Sequence, residues 1–187
     1  MVAVIDTESF LCSHCLKRRL LAIAYAIYDM NVCGIKNTKL LYVQPQAGCI
    51  IDTTSIRIHG ITQDHAIRLG QPLESVLQCV VNDIKSIDAI AGHDVHADVK
   101  ILIDEAVAVN STKLIQLFMN SSLLCTKLLT ASMLRIKMPE TVNAIGWKWP
   151  SLRESYAFVT NGLAYDEHNP MADVMACVHI LQNIIHT

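Results

Sequence analysis

The hydrophobic period of this chain changes near Pro72, and that change limits the folds open to it. Before it, residues 2–8 and 20–29 form apolar runs rich in β-branched and aromatic side chains, and residues 40–44 form another that ends at Pro45. These read as strands. Short segments at 16–19 and 31–37 separate them, which suits an antiparallel meander. From Pro72 onward, Leu73, Val76, Leu77, Val80, Val81 and Ile84 recur at helical spacing, with the proline near the first turn. Residues 87–91 read as a short buried strand ending at Gly92, and 97–109 return to helical spacing. Residues 123–129 suit either a strand or the start of a helix. The segments 151–159 and 171–185 are expected to be the last helices, with Asn169-Pro170 as a start signal for the second. Strands first, then strand and helix in alternation, imply an α/β or α+β layer fold on a mixed sheet. With no repeat and no Gly-, Ser- or Pro-rich linker, residues 1–187 are expected to form a single domain.

The acids fall where such a fold would use them. Asp6 and Glu8 follow the first apolar run two positions apart, so both side chains leave the same face. Asp98 lies early in the helix entered from the strand at 87–91. Asp173 heads the inward stripe of the last helix, above Cys177, Ile180 and Ile184. Taken singly, such acids are turn residues or helix-start residues favoured by the dipole. Taken jointly they point to a shared cleft. Carboxylates ~4 Å apart at an effective dielectric near 20 repel by about 4 kcal/mol per pair, so cations must offset them. Oxygen ligands without a thiolate select Mg²⁺ or Mn²⁺ over zinc. Two such ions about 3.5–4 Å apart are the recurring device for phosphodiester cleavage.

Composition narrows the field. The chain is 52% hydrophobic, yet no run reaches the ~18 apolar residues that a membrane span needs. The run Val2-Ala3-Val4-Ile5 passes directly into acids, without a basic region or cleavable segment, so no secretion signal is expected. Seven cysteines at irregular positions favour free thiols in a reducing, cytoplasmic setting. A net charge of −2 lacks the basic excess of a protein that coats nucleic acid, so any such partner must be drawn by a local patch or by metal.

The ordered motifs resemble the DEDDh exonucleases, the DnaQ-like family with a ribonuclease-H-like fold. Val4-Ile5-Asp6-Thr7-Glu8 is similar to its D-T-E strand, and Ile58-His59-Gly60-Ile61-Thr62 to its H-G-I-T turn. The segment from Ala91-Gly92-His93-Asp94 to Ala97-Asp98-Val99-Lys100-Ile101-Leu102 resembles G-H-N-x-x-F-D-x-x-x-L. Cys125-Thr126 and Trp149-Pro150-Ser151-Leu152 resemble two shorter elements, and His168-Asn169-Pro170-Met171-Ala172-Asp173 fits H-x-x-x-x-D. The resemblance implies a mixed five-stranded sheet flanked by helices, and removal of nucleoside monophosphates from a nucleic-acid 3′ end. By position, Asp6, Glu8, Asp98 and Asp173 would hold two Mg²⁺ or Mn²⁺ ions, His168 would be the general base, and Thr7 and His59 would contact the substrate. The partner expected is a short or single-stranded 3′ end, since 187 residues leave little room for a separate nucleic-acid-binding domain. A polymerase or other protein partner and a homodimer surface remain open.

Three positions depart from the family pattern. Ser9-Phe10 replace Thr-Gly after D-T-E, Asp94 replaces the asparagine and Ala97 the aromatic. All five inferred catalytic residues are present, which favours an active enzyme over a silent nucleic-acid- or polymerase-binding module of the same fold. Other signals have plainer readings. Cys12-Ser13-His14-Cys15 lacks the second pair that a zinc site needs. Lys17-Arg18-Arg19, near the end of the first motif, could touch phosphate but reads better as a solvated hairpin turn, and Met119, Met133 and Met138 read as core fillers. Trp147 and Trp149 could stack on bases, but packing of Trp149 on the next helix is at least as good an account.

Overall fold

A computed structural model describes residues 1–136 and 147–185. Its first strand, β1 (Val2–Cys12), pairs antiparallel with β2 (Lys17–Asp29), which pairs antiparallel with β3 (Gly34–Tyr42). The meander is therefore as expected, but its turns are tighter. β3 starts well before Leu40, because its polar first half lies on the edge strand, where apolar patterning gives no signal. Lys17, Arg18 and Arg19 form the start of β2, opposite Cys12, Leu11 and Phe10. Lys17 and Arg18 are exposed as expected, but the solvated-turn reading fails at Arg19, which has a buried partner. Its Nε and Nη2 donate to the two Glu105 carboxylate oxygens at 2.8 Å each, and Glu105 also accepts from the Leu20 amide at 2.8 Å. β1 in turn runs past Glu8, through a bulge between Glu8 and Ser9, because Phe10 and Cys12 bury against Leu21, Ala22, Ile51 and Ile61.

β4 (Ala89–Gly92) inserts parallel to β1, and β5 (Ser122–Cys125) parallel to β4, giving the order β3-β2-β1-β4-β5. Eight helices accompany this sheet among the described residues. The short α1 (Thr53–His59) and α2 (Gln63–Leu69) lie where the sequence showed only a turn, each started by a side-chain cap, Asp52 and Thr62. α3 (Leu73–Ile84), α4 (Val95–Ala108) and α5 (Thr112–Asn120) cover one face, packing on Ala3, Ile5, Ile23 and Tyr25. The undecided segment proves to be both things: Leu123 belongs to β5, and Thr126 starts α6 (Thr126–Leu134). α7 (Leu152–Val159) opens on a capping box of Ser151 and Glu154. α8 (Pro170–Ile185) covers the other face through Val174, Cys177, Val178 and Leu181, against Val2, Val4, Ala24 and Ala91.

Two of the methionines are not core. Met119 is 68% and Met133 41% exposed, because α5 turns Leu114 and Phe118 inward and α6 turns Thr130 and Ala131 inward instead. Met138 lies outside the described residues. The expected mixed α/β architecture with a five-stranded sheet is present, and no described helix is long and apolar enough to cross a membrane.

Candidate active site

Alternation along β1 places the site. Val2 and Val4 point into the α8 layer, so Asp6 and Glu8 continue on that face where the apolar cover ends. α8 descends onto the same edge and contributes Asp173 from its first turn, buried to 8% exposure. Asn169 begins that helix: its backbone carbonyl accepts from the Asp173 amide at 2.9 Å, and its side chain from the Ala172 amide at 3.4 Å. Carboxylate oxygens of Asp6, Glu8 and Asp173 all lie within 4.8 Å of one another.

Asp98 stands beside this trio. It comes from the first turn of α4, and Thr7 fixes it with two donations to Oδ1, from the amide at 3.0 Å and the hydroxyl at 2.7 Å. Thr7, expected to touch substrate, thus spends its hydroxyl on orienting an acid. Gly92 allows β1 and α4 to come this close. A Cβ there would stand 2.8 Å from the Ile5 carbonyl oxygen and 3.6 Å from Asp98 Oδ2.

The electrostatics are those of crowded, desolvated acids. Asp6 is raised well above the usual carboxylate range by burial, and then by the charges of Asp98, Glu8 and Asp173. Burial followed by the Asp173 and Asp98 charges pushes Glu8 up to about 7. Burial pushes Asp98 to about 7 against the opposing pull of the Thr7 donors. Asp173 is also raised by burial, and the Tyr165 hydroxyl beside it partly offsets the rise. Asp6 Oδ2 is buried without a hydrogen-bond partner. An oxygen-only cluster of acids, one atom of it unsatisfied, fits a hard divalent cation.

His168 sits in the exposed loop ahead of α8, at a positive φ of 63°, close enough to Asp173 for its charge to draw that carboxyl down. His59 is 7% exposed in the turn capped by left-handed Gly60. Its Nδ1 accepts from the Ile61 amide at 3.0 Å, so the neutral ring carries its proton on Nε2, a buried atom without a partner. Asp94 leaves the cluster and pairs with Lys127 at 2.7 Å.

The sequence model of the RNase_T family, described as exonuclease, matches residues 3–181. The chain belongs to the RNase_T exonuclease family. No curated protein matches the chain by sequence. As an RNase_T exonuclease it shares its fold with E. coli exonuclease I in complex with a 5cy-dT13 oligonucleotide, at a TM-score of 0.72 and 16% identity over 99% of this chain. It is also similar to the nuclease domain of 3′hExo, a DEDDh family member bound to rAMP, at a TM-score of 0.71 and 14% identity. The chain covers 91% of that nuclease domain but 40% of the exonuclease I chain.

Several supports of this RNase_T site escaped the sequence reading. His93 bridges Thr126 Oγ1, at 3.1 Å, and the Pro150 carbonyl, at 3.0 Å, tying the β4 end to α6 and to the lead-in of α7. Its place in the G-H-D motif was the available signal. Tyr165 carries no comparable mark, since only the fold sets it beside Asp173.

Proposed function

We propose that this RNase_T-family hydrolase is a single-domain, metal-dependent 3′–5′ exonuclease that releases nucleoside monophosphates from nucleic-acid 3′ ends. The convergence of Asp6, Glu8 and Asp173 around a buried, unpartnered Asp6 oxygen carries the reading. Asp6, Glu8, Asp98 and Asp173 would hold two Mg²⁺ or Mn²⁺ ions, which when bound supply the positive charge that stabilises the attacking and leaving oxygens. Thr7 keeps Asp98 turned toward this cluster. His168, on an exposed loop beside Asp173, would take the proton of the attacking water, a role its place next to the carboxylate cluster allows. The unpartnered Nε2–H of His59 is a donor for the terminal nucleotide, a contact the family resemblance implies for both His59 and Thr7.

The test uses 5′-labelled single-stranded DNA and RNA oligonucleotides with Mg²⁺, with Mn²⁺ or with EDTA, beside an Asp6→Ala control. The expected result is a metal-dependent ladder shortening from the 3′ end, with the control slower by 10³-fold or more (an order-of-magnitude expectation for losing an essential electrostatic group). Metal binding without shortening of either strand would overturn the proposal in favour of a binding module.

A further inference from the structure

A cavity of about 740 Å³ opens between the β1–β2 hairpin and the outer face of α4. Nothing in the proposed chemistry uses it. Its floor runs along α4 from Ala97, the neighbour of Asp98, to Ala108, and its wall carries Lys17 and Arg18. Arg18 donates to the hydroxyl of Ser9, the residue after Glu8, at 3.2 Å. The cavity is thus lined or flanked by chain neighbours of two of the acids, Ala97 beside Asp98 and, through Arg18, Ser9 beside Glu8.

The charges within it are sorted. Glu105 is spent on Arg19, and Asp104 is paired with Lys100 at 2.6 Å. Among the described residues, Lys17 and Arg18 face the cavity with no carboxylate partner, on a chain whose net charge is −2. A local positive wall beside an acidic centre needs a polyanion to make sense of it. The helix from Ala97 to Ala108 spans about 16 Å at ~1.5 Å per residue, which matches several phosphates at the ~3.4 Å spacing of a stacked strand. Ala97, where the family pattern has an aromatic, leaves the mouth of the cavity open.

Resting on the exonuclease reading, we infer that this cavity is the path of the substrate's upstream backbone. In it, Lys17 and Arg18 bind the phosphates of a single strand whose 3′ end lies at Asp6, Glu8 and Asp173. Neither residue touches the scissile bond. They position the strand and make the enzyme prefer oligonucleotides over dinucleotides.

The experiment compares the full chain with a Lys17→Ala/Arg18→Ala variant on a 5′-phosphorylated dinucleotide and a 12-mer, as dT and as rU, across a salt series. A 5′-phosphorylated dinucleotide, with one phosphate upstream of its scissile bond, is too short to run along the α4 floor. For the 12-mer that the parent cuts, the variant's KM is expected to rise about 10-fold with kcat little changed, and the salt slope to fall by about 1–2 for two lost phosphate contacts. Dinucleotide turnover stays at the parent level. Equal KM values on the 12-mer overturn the inference, as does an equal loss on both substrates, which marks a structural role. If the double variant melts below the parent, Arg18→Gln alone is measured, and an unchanged 12-mer KM there also overturns it. Failure of the parent to cut either length sinks the exonuclease reading itself.

Discussion

At the scale of residues, the site is a set of acids held in protonation states they would not choose in water. Asp6, Glu8, Asp98 and Asp173 all have folded pKa values raised by burial, with Glu8 and Asp98 near 7. Between the unfolded values near 4 and the folded values near 7, the metal-free fold binds more protons than the unfolded chain. Its stability therefore falls as pH rises through that window, and the share carried by Glu8 and Asp98 is lost once pH passes about 7. A thermal melt in EDTA is expected to show a lower Tm at pH 8 than at pH 5. The Asp6→Asn variant is expected to reverse most of that drop while abolishing activity. These acids were legible because each ends a recognisable pattern: the β1 run for Asp6 and Glu8, and a helical stripe for Asp173. Arg19 and Glu105 were not legible. They lie far apart in the sequence, and nothing local distinguishes a buried ion pair from two surface charges.

At the scale of elements, two joints decide whether the acids meet. One is the close passage of β4 past β1 at Gly92, where a Cβ would press on the Ile5 carbonyl oxygen at 2.8 Å. Gly92→Ala is expected to cost about 1–3 kcal/mol by overpacking and to move Asp98 away from Thr7. Denaturant melts give the first effect, and the pH-rate profile gives the second. The other joint pins α4 to β2 through Arg19 and Glu105. Removing one partner, as in Glu105→Ala, leaves the half-buried guanidinium and the Leu20 amide unsatisfied, an expected loss of about 3–5 kcal/mol by urea unfolding. Long amphipathic elements such as α3 and α8 declared themselves by period. α1 and α2 were missed because helices of seven residues hold too few turns for a period to register. The outward turn of Met119 and Met133 was missed because methionine marks no face of its own.

At the scale of the whole molecule, ligand binding and folding are one equilibrium. On the exonuclease reading, bound divalent cations would offset the repulsion among the acids of the cluster. Mn²⁺ at about 100 times its Kd is therefore expected to stabilise the fold by about 2.7 kcal/mol. Calorimetry should read this as a raised Tm, and an Asp173→Ala variant should lose most of the rise. The overall architecture was readable from the order of strands and helices. The distribution of charge was not, since a net value of −2 conceals both the acidic edge and the basic cavity beside it. Asp6 lies on the first strand and Asp173 on α8, the last described helix, so no contiguous stretch of chain holds the cluster. During synthesis, the ribosome releases β1 long before α8 exists. The acids of β1 therefore wait without their partner from α8 until that helix has been translated and has docked.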